Sequence, residues 1–283
     1  MTPPVALTIA GSDSSGGAGV QADLKTFSAL GVYGASAITA LTAQNTLGVR
    51  GVHAVPAEFV VAQVEAVLDD LTMAAVKTGM LATAATVRAV ADLAAAGRLP
   101  LLVVDPVMVA SSGDRLLETP AERLYREALL PYAFVATPNL HEAEVLLGRP
   151  IRTLDEQHEA ARDLGGLGPQ TVVVKGGHSV TGTEGEAVDV VCDGLTTYEL
   201  RAVWVETGNN HGSGCTFASA IAAGLARGLD VSAALLVART YVSQALAGGA
   251  GWQLGSGHGP LDHFGHANAS RVRPGVCRCT LST

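Results

Sequence analysis

Short, almost wholly apolar runs alternate with helical patterns along this chain, and that alternation limits the fold more than any other feature. "VALTIAG", "LLVVDP" and "TVVVKGG" each stop at glycine or a polar residue and carry no polar face. Strands of that kind are buried on both sides. Between them lie segments with helical spacing. "ADLKTFSAL" repeats apolar residues at Leu24, Phe27 and Leu30 before Gly31. "AEFVVAQVEAVLDDL" places Phe59, Val60, Val64, Val67, Leu68 and Leu71 on one face. The alternation predicts an α/β chain, a mostly parallel sheet covered by helices on both faces. "VYGASAITALTAQNT" reads as β-rich and interrupted at Gly34, and "GEAVDVVCDGLTTYELRAVWV" as a hairpin turning at Asp193-Gly194. Two helices follow, from Thr216 to Arg227 and from Val231 to about Leu246.

A length of 283 residues suits one large α/β domain or two small ones. Linker-like composition is confined to the end of the chain, so a single domain over 1–266 with a flexible tail over 267–283 is expected. The net charge of −8 argues against non-specific nucleic-acid binding, which needs clustered Lys and Arg. "MTPPVALTIAG" lacks the basic and long apolar parts of a signal peptide, and no run of about 18 apolar residues suggests a membrane span. The four cysteines, at 192, 215, 277 and 279, lack the density of a disulfide scaffold and the paired spacing of a zinc site. A cytoplasmic, reduced protein is the expectation.

Ligands of open parallel sheets bind at the carboxyl ends of the strands. Asp105, Asn139 and Lys175 stand at such ends, beside the Gly11 turn. "GSDSSGGAG" is neither a Walker A loop nor GxGxxG. It reads equally as a tight turn feeding a helix and as a place where backbone approaches a ligand, with Asp23 just inside the helix. Asp105 in "VVVDP" suits Mg2+ or its waters, or a simple turn. Asn139 and Glu142 fit an N-cap and its capping-box partner, an account sufficient without a metal. Lys175 ends a very apolar strand and needs a partner, either a phosphate or a salt bridge. "NNHGSGCT" aims unpaired amides of a helix start at one point, where an anion should bind. Cys215 follows within the first turn, where the helix terminus is expected to favour thiolate. It is open to readings as a nucleophile, a proton acceptor or a small buried residue; no second Cys or His is spaced to make it a metal ligand. His258, His263 and His266 in "GHGPLDHFGH" read as a docking loop ahead of a metal site, and Cys277 and Cys279 receive no role.

These segments together resemble the hydroxymethylpyrimidine/phosphomethylpyrimidine kinases of thiamine biosynthesis, in the ribokinase-like superfamily. The resemblance runs from about residue 5 to 265. It is carried by "TIAGSDSSGGAGVQADLKTFSALGVYG", "TALTAQNTLGV", "KTGML", "DPVMVASSGD", "TPNLHEAEVLLG", "VVVKGGH", "NNHGSGCT" and "GHGPLDHF". It implies a three-layer α/β/α fold, a homodimer, and transfer of the ATP γ-phosphoryl to the pyrimidine's hydroxymethyl group and then to that phosphate. The resemblance places the substrate against Gly11, Asp23, Gln44, Met80 and Val107, with Gln44 on the ring's amino and nitrogen edge. It assigns Asn139, Lys175 and Thr207 to ATP, Asp105 and Glu142 to Mg2+, and Gly212, Ser213, Gly214 and Cys215 to the anion hole. K+ is a further candidate cation.

Departures from the family are small. Gly208, Asn209, Asn210 and His211 stand where Lys-Asn-Thr-His is usual, Ser213 replaces threonine, and "KTGML" replaces "KIGML". The runner-up is a pyridoxal-type vitamin kinase on the same fold. Relatives that accept both substrates tend to carry a second cysteine after the Asp-Pro strand end, and "VMVASSGD" has none. Readings of other classes are a cysteine-dependent hydrolase and a non-catalytic nucleotide sensor. Residues 106 to 114, rich in Ser and Gly, are the expected lid.

Overall fold

A computed structural model describes residues 2–108, 119–177, 185–194, 196–264 and 280–282. Strands β1 (Val5–Asp13), β2 (Tyr33–Asn45), β4 (Met73–Thr78), β5 (Val103–Val104), β6 (Val135–Ala136) and β7 (Thr171–Lys175) form the parallel centre of one sheet. β3 (Gly48–Ala54), β8 (Glu186–Asp193), β9 (Thr196–Val203) and β10 (Thr280–Ser282) join antiparallel at the two edges. The spatial order is β10-β9-β8-β7-β6-β5-β4-β1-β2-β3. The predicted hairpin is β8–β9, with Asp193 paired to Thr196.

Helices α1 (Gly19–Ala29), α7 (Ser213–Ala226) and α8 (Val231–Gly249) cover one face. The other face carries α2 (Ala57–Leu68), α3 (Ala84–Ala95), α4 (Thr119–Leu124), α5 (Leu140–Leu147) and α6 (Leu154–Gly165). Alternate strand residues feed the two cores. In β7, Val172 and Val174 pack with the α2–α6 layer, whereas Val173 packs with α1, α7 and α8. This period of two with both faces apolar is why these strands read as unbroken apolar runs.

Three local expectations change. β2 passes through Gly34 without a break; a Cβ there would come within 2.7 Å of Leu24 and 3.0 Å of Phe27, so the glycine admits α1 against the sheet. Phe59 is exposed, leaving Val60 and Val64 to bury α2. α7 starts at Ser213, three residues earlier than the apolar pattern indicated, because Gly212 at φ 85° already turns the chain into the helix. Among the described residues no helix is long and apolar enough to cross a membrane. Of the expected lid, residues 109–114 lie outside the described residues, as do His266, Cys277 and Cys279.

Candidate active site

The carboxyl ends of the parallel strands open into one cleft of about 660 Å³, and nearly all the residues picked out in the sequence line it. At one end lie Gly11, Gln44, Met80 and Val107. Met80 and Val107 belong to a small apolar group with Ala40 and Ala82, separate from the two main cores. A side chain at Gly11 would press on the Met80 sulfur at 3.0 Å, so the bare backbone keeps this end open. At the other end Val203, Val205, Phe217, Val242 and Leu246 give apolar walls, with Trp204 beside them. Thr207 lines the cleft and accepts the Asn209 amide at 3.0 Å.

Between these ends sits a charged centre. Lys175 donates to Asp105 Oδ1 at 2.9 Å, so the strand-end lysine has its salt bridge and still faces the cleft. Burial alone would lower the Lys175 pKa, but Asp105 and Glu142 raise it above the usual lysine value. Asp105 Oδ1 also accepts from Thr137, whereas Oδ2 is buried and without a hydrogen-bond partner. Asn139 and Glu142 form the expected capping box, each side chain accepting the other's backbone N–H at 2.8 Å. Burial pushes Glu142 up to about 7, against the opposing pull of Lys175. Among the described residues no three His, Cys, Asp or Glu converge as a self-sufficient metal site. Two carboxylates do suit Mg2+, which keeps waters and takes its remaining ligands from phosphates. The orphaned Asp105 oxygen is the observation that fits it.

The start of α7 closes the centre. Gly212 is its N-cap, and a Cβ there would collide with the Gly17 carbonyl. A Cβ at Gly214 would come within 3.3 Å of Lys175 Nζ. The glycines therefore let the first glycine-rich turn and the lysine close on the helix terminus, whose first-turn amides have no partner within the helix. Cys215 lies here, but the expected thiolate does not. Burial pushes its thiol up to about 11; Lys77 pulls it down, and Asp23 and Asp105 push it further up. Loss of hydration outweighs the helix terminus.

Asp23 also departs from expectation. It is fully buried beneath the cleft and does not line it. Its carboxylate accepts Lys77 Nζ at 3.0 Å on both oxygens, Thr8 at 2.6 Å and Ser219 at 2.6 Å. Burial would lower the Lys77 pKa, yet Asp23 holds it above the usual lysine value. Sequence reasoning gave no role to Lys77, nor to Asp13 and His211. Asp13 Oδ2 lies 2.8 Å from His211 Nε2 and accepts the amides of Gly17 and Ala18; Oδ1 accepts Ser15 N–H. Burial would raise the Asp13 pKa, but His211, Ser15 and Ala18 hold it at about 2. The glycine-rich turn is thus wound around one carboxylate, and the single charged residue within "GSDSSGGAG" was the available signal.

The histidine loop docks, as the sequence suggested. Residues 255–258 clasp Thr46 between β2 and β3: Ser256 and Gly257 donate to its hydroxyl and His258 to its carbonyl. His211 donates its amide to Gly259, and His263 is buried against Thr216.

Comparison with known proteins agrees with this architecture. A family model described as phosphomethylpyrimidine kinase matches residues 13–262. The hydroxymethylpyrimidine/phosphomethylpyrimidine kinase of Rhizobium meliloti is 51% identical over 264 residues, covering 92% of this chain and 97% of the relative. The solved phosphomethylpyrimidine kinase of Clostridium difficile 630 superposes with a TM-score of 0.75 at 40% identity, over 86% of this chain and 99% of that one. The ADP complex of Bacillus subtilis pyridoxal kinase superposes with a TM-score of 0.84 at 37% identity, over 93% and 98%. Fold and sequence comparisons agree, and the chain belongs to the phosphomethylpyrimidine kinase family.

Proposed function

We propose that this cleft transfers the ATP γ-phosphoryl group to the hydroxymethyl group of 4-amino-5-hydroxymethyl-2-methylpyrimidine, and a second one onto the resulting monophosphate, in thiamine biosynthesis. One observation carries the reading: the Lys175–Asp105 pair stands against the first turn of α7, between two differently built ends of one cleft. The end with Gln44, Met80 and Val107 combines an amide with apolar walls, as a small methylated heterocycle needs. The Trp204 end takes the nucleoside, in keeping with the ADP bound by the pyridoxal kinase relative.

In the first transfer the hydroxyl oxygen forms a bond to the γ-phosphorus while the bond to the bridging oxygen breaks, and ADP leaves with the electron pair. Such transfers ask for positioning and charge neutralisation, and little of a base. Lys175 and the amides of Gly212, Gly214 and Cys215 supply donors and positive charge to the phosphoryl oxygens, and Ser213, whose N–H is held by the Asn210 carbonyl, shapes the cradle between them. Asn139 and Thr207 flank the phosphates. Asp105 and Glu142 would hold Mg2+, which neutralises phosphate charge when bound. Cys215, a neutral thiol, lines the cradle and the hydroxyl proton passes to solvent or phosphate. In the second transfer the acceptor is already anionic and gives up no such proton.

A homodimer through the β2–β3 edge accompanies this reading. Leu41, Leu47 and Val52 are exposed there, with Phe59 of α2. ATP consumption with hydroxymethylpyrimidine, its monophosphate and pyridoxal, assayed in parallel, tests the function. Turnover of the first two, each faster than pyridoxal, is expected; none with either would overturn it.

A further inference from the structure

The Gln44 amide lies between two polar neighbours. His211 Nε2 is 3.4 Å from its nitrogen, and Thr42 Oγ1 is 3.1 Å from its oxygen. The two ends of an amide have nearly the same shape, so the supply of protons decides which faces which neighbour. His211 Nε2 is also 2.8 Å from Asp13 Oδ2, and that carboxylate accepts several N–H and O–H groups as an ion. Nε2 must therefore carry a hydrogen, since a lone pair there would face an anionic oxygen. A nitrogen that carries a hydrogen cannot accept another from the amide. On the opposite side the Thr42 hydroxyl has one hydrogen, and the Ser12 carbonyl takes it at 3.0 Å. Thr42 then meets Gln44 with lone pairs. The His211 hydrogen is spent on Asp13, so at 3.4 Å this N–H edge repels an amide N–H without bonding the amide oxygen fully, while Thr42 accepts from an amide nitrogen; both favour the amide oxygen toward His211 and the amide nitrogen toward Thr42.

We propose that Asp13, His211 and Thr42 are positioning residues that lock the Gln44 amide in this orientation and so select an aminopyrimidine over a pyridine. The lock leaves one lone pair and one N–H of Gln44 for a ligand. A 4-aminopyrimidine offers the matching pair on adjacent atoms, an exocyclic N–H and a ring-nitrogen lone pair. In pyridoxal the ring nitrogen and the phenolic hydroxyl are separated by a methyl-bearing carbon, so the match fails. The inference rests on the acceptor proposed above.

The test compares wild-type enzyme with His211→Asn, Thr42→Val and Thr42→Ser. For each, kcat and KM are measured with hydroxymethylpyrimidine and pyridoxal, together with the KM for ATP. His211→Asn and Thr42→Val should raise the KM for the pyrimidine about tenfold, the effect of one misplaced hydrogen bond. The kcat/KM preference over pyridoxal should fall by a similar factor with ATP KM little changed, and Thr42→Ser should restore most of it. The Thr42 hydroxyl bonds the Ser12 carbonyl and Gln44 and not the Asp13 carboxylate, so its variants keep the test alive if His211→Asn fails to fold. An unchanged preference in Thr42→Val, or an equal loss in Thr42→Ser, overturns the lock. A wild-type enzyme that turns over neither pyrimidine instead overturns the proposed function.

Discussion

Two lysines lie at the carboxyl ends of parallel strands, each paired with an aspartate, and the two pairs are built differently. Lys77 and Asp23 are wholly buried, and Asp23 is saturated by Lys77, Thr8 and Ser219. Lys175 and Asp105 form a bond of similar length, yet Lys175 borders the cleft and one Asp105 oxygen has no partner. A saturated pair has no capacity left for a ligand, and an unsaturated one does. The first ties α1, β1, β4 and α7 together beneath the site; the second presents charge to whatever enters. Charge type and strand position are nearly the same, so spare hydrogen-bonding capacity is what separates the two pairs.

Removing half of each pair should expose this difference. Asp23→Ala leaves a buried unpaired lysine, and denaturant unfolding should show a loss of about 3–5 kcal/mol. Lys175→Met should lose far less stability while kcat falls about 10²–10³-fold, as when one oxyanion donor is removed. Equal destabilisation by both would dissolve the comparison.

Asp13 extends it. It is saturated like Asp23, and its pKa is lowered from 3.8 to about 2. A depressed carboxylate stabilises the fold above its unfolded pKa and loses that contribution as pH falls through the folded one. Acid unfolding should show about 1–2 kcal/mol lost between pH 4 and pH 2, after discounting for solvent screening, and Asp13→Asn should lack that component. Cys215 interacts with both lysines and sharpens the contrast at its smallest scale. With its thiol near 11 it is protonated across pH 6–9, so Cys215→Ala should cost under about tenfold in kcat. A wild-type rate that climbs through this range and flattens in Cys215→Ala would restore the thiolate.

The cleft-facing pair was legible in the chain because its signals are local. Asp105 and Lys175 each end an apolar run, and the Asn139–Glu142 capping box is written within four residues. The saturated groups were not. Asp23 and Lys77 are 54 positions apart, Asp13 and His211 198, and no periodicity links them. Asp23 was placed in the pocket by family resemblance, whereas only packing shows that α1 turns it under the floor. Cys215 failed for a related reason. The helix terminus is visible in the sequence, but how far the surrounding layers strip water from a half-buried thiol is not. Gly34 likewise looks like a strand breaker until α1 is seen lying on it.

The long separations across the site also bear on how the molecule is made. Asp13 meets His211, Asp23 meets Ser219, and Thr46 is clasped by residues 255–258. Contacts this distant in sequence close late, after the loop entropy between them has been overcome. During synthesis the first strands leave the ribosome well before their partners exist. Gln44 can be aligned only when His211 arrives, and the Thr46 clasp closes after that. A nascent chain would therefore hold most of its sheet before it could hold a substrate, and catalytic competence would wait for His211 and the segment around residues 255–258.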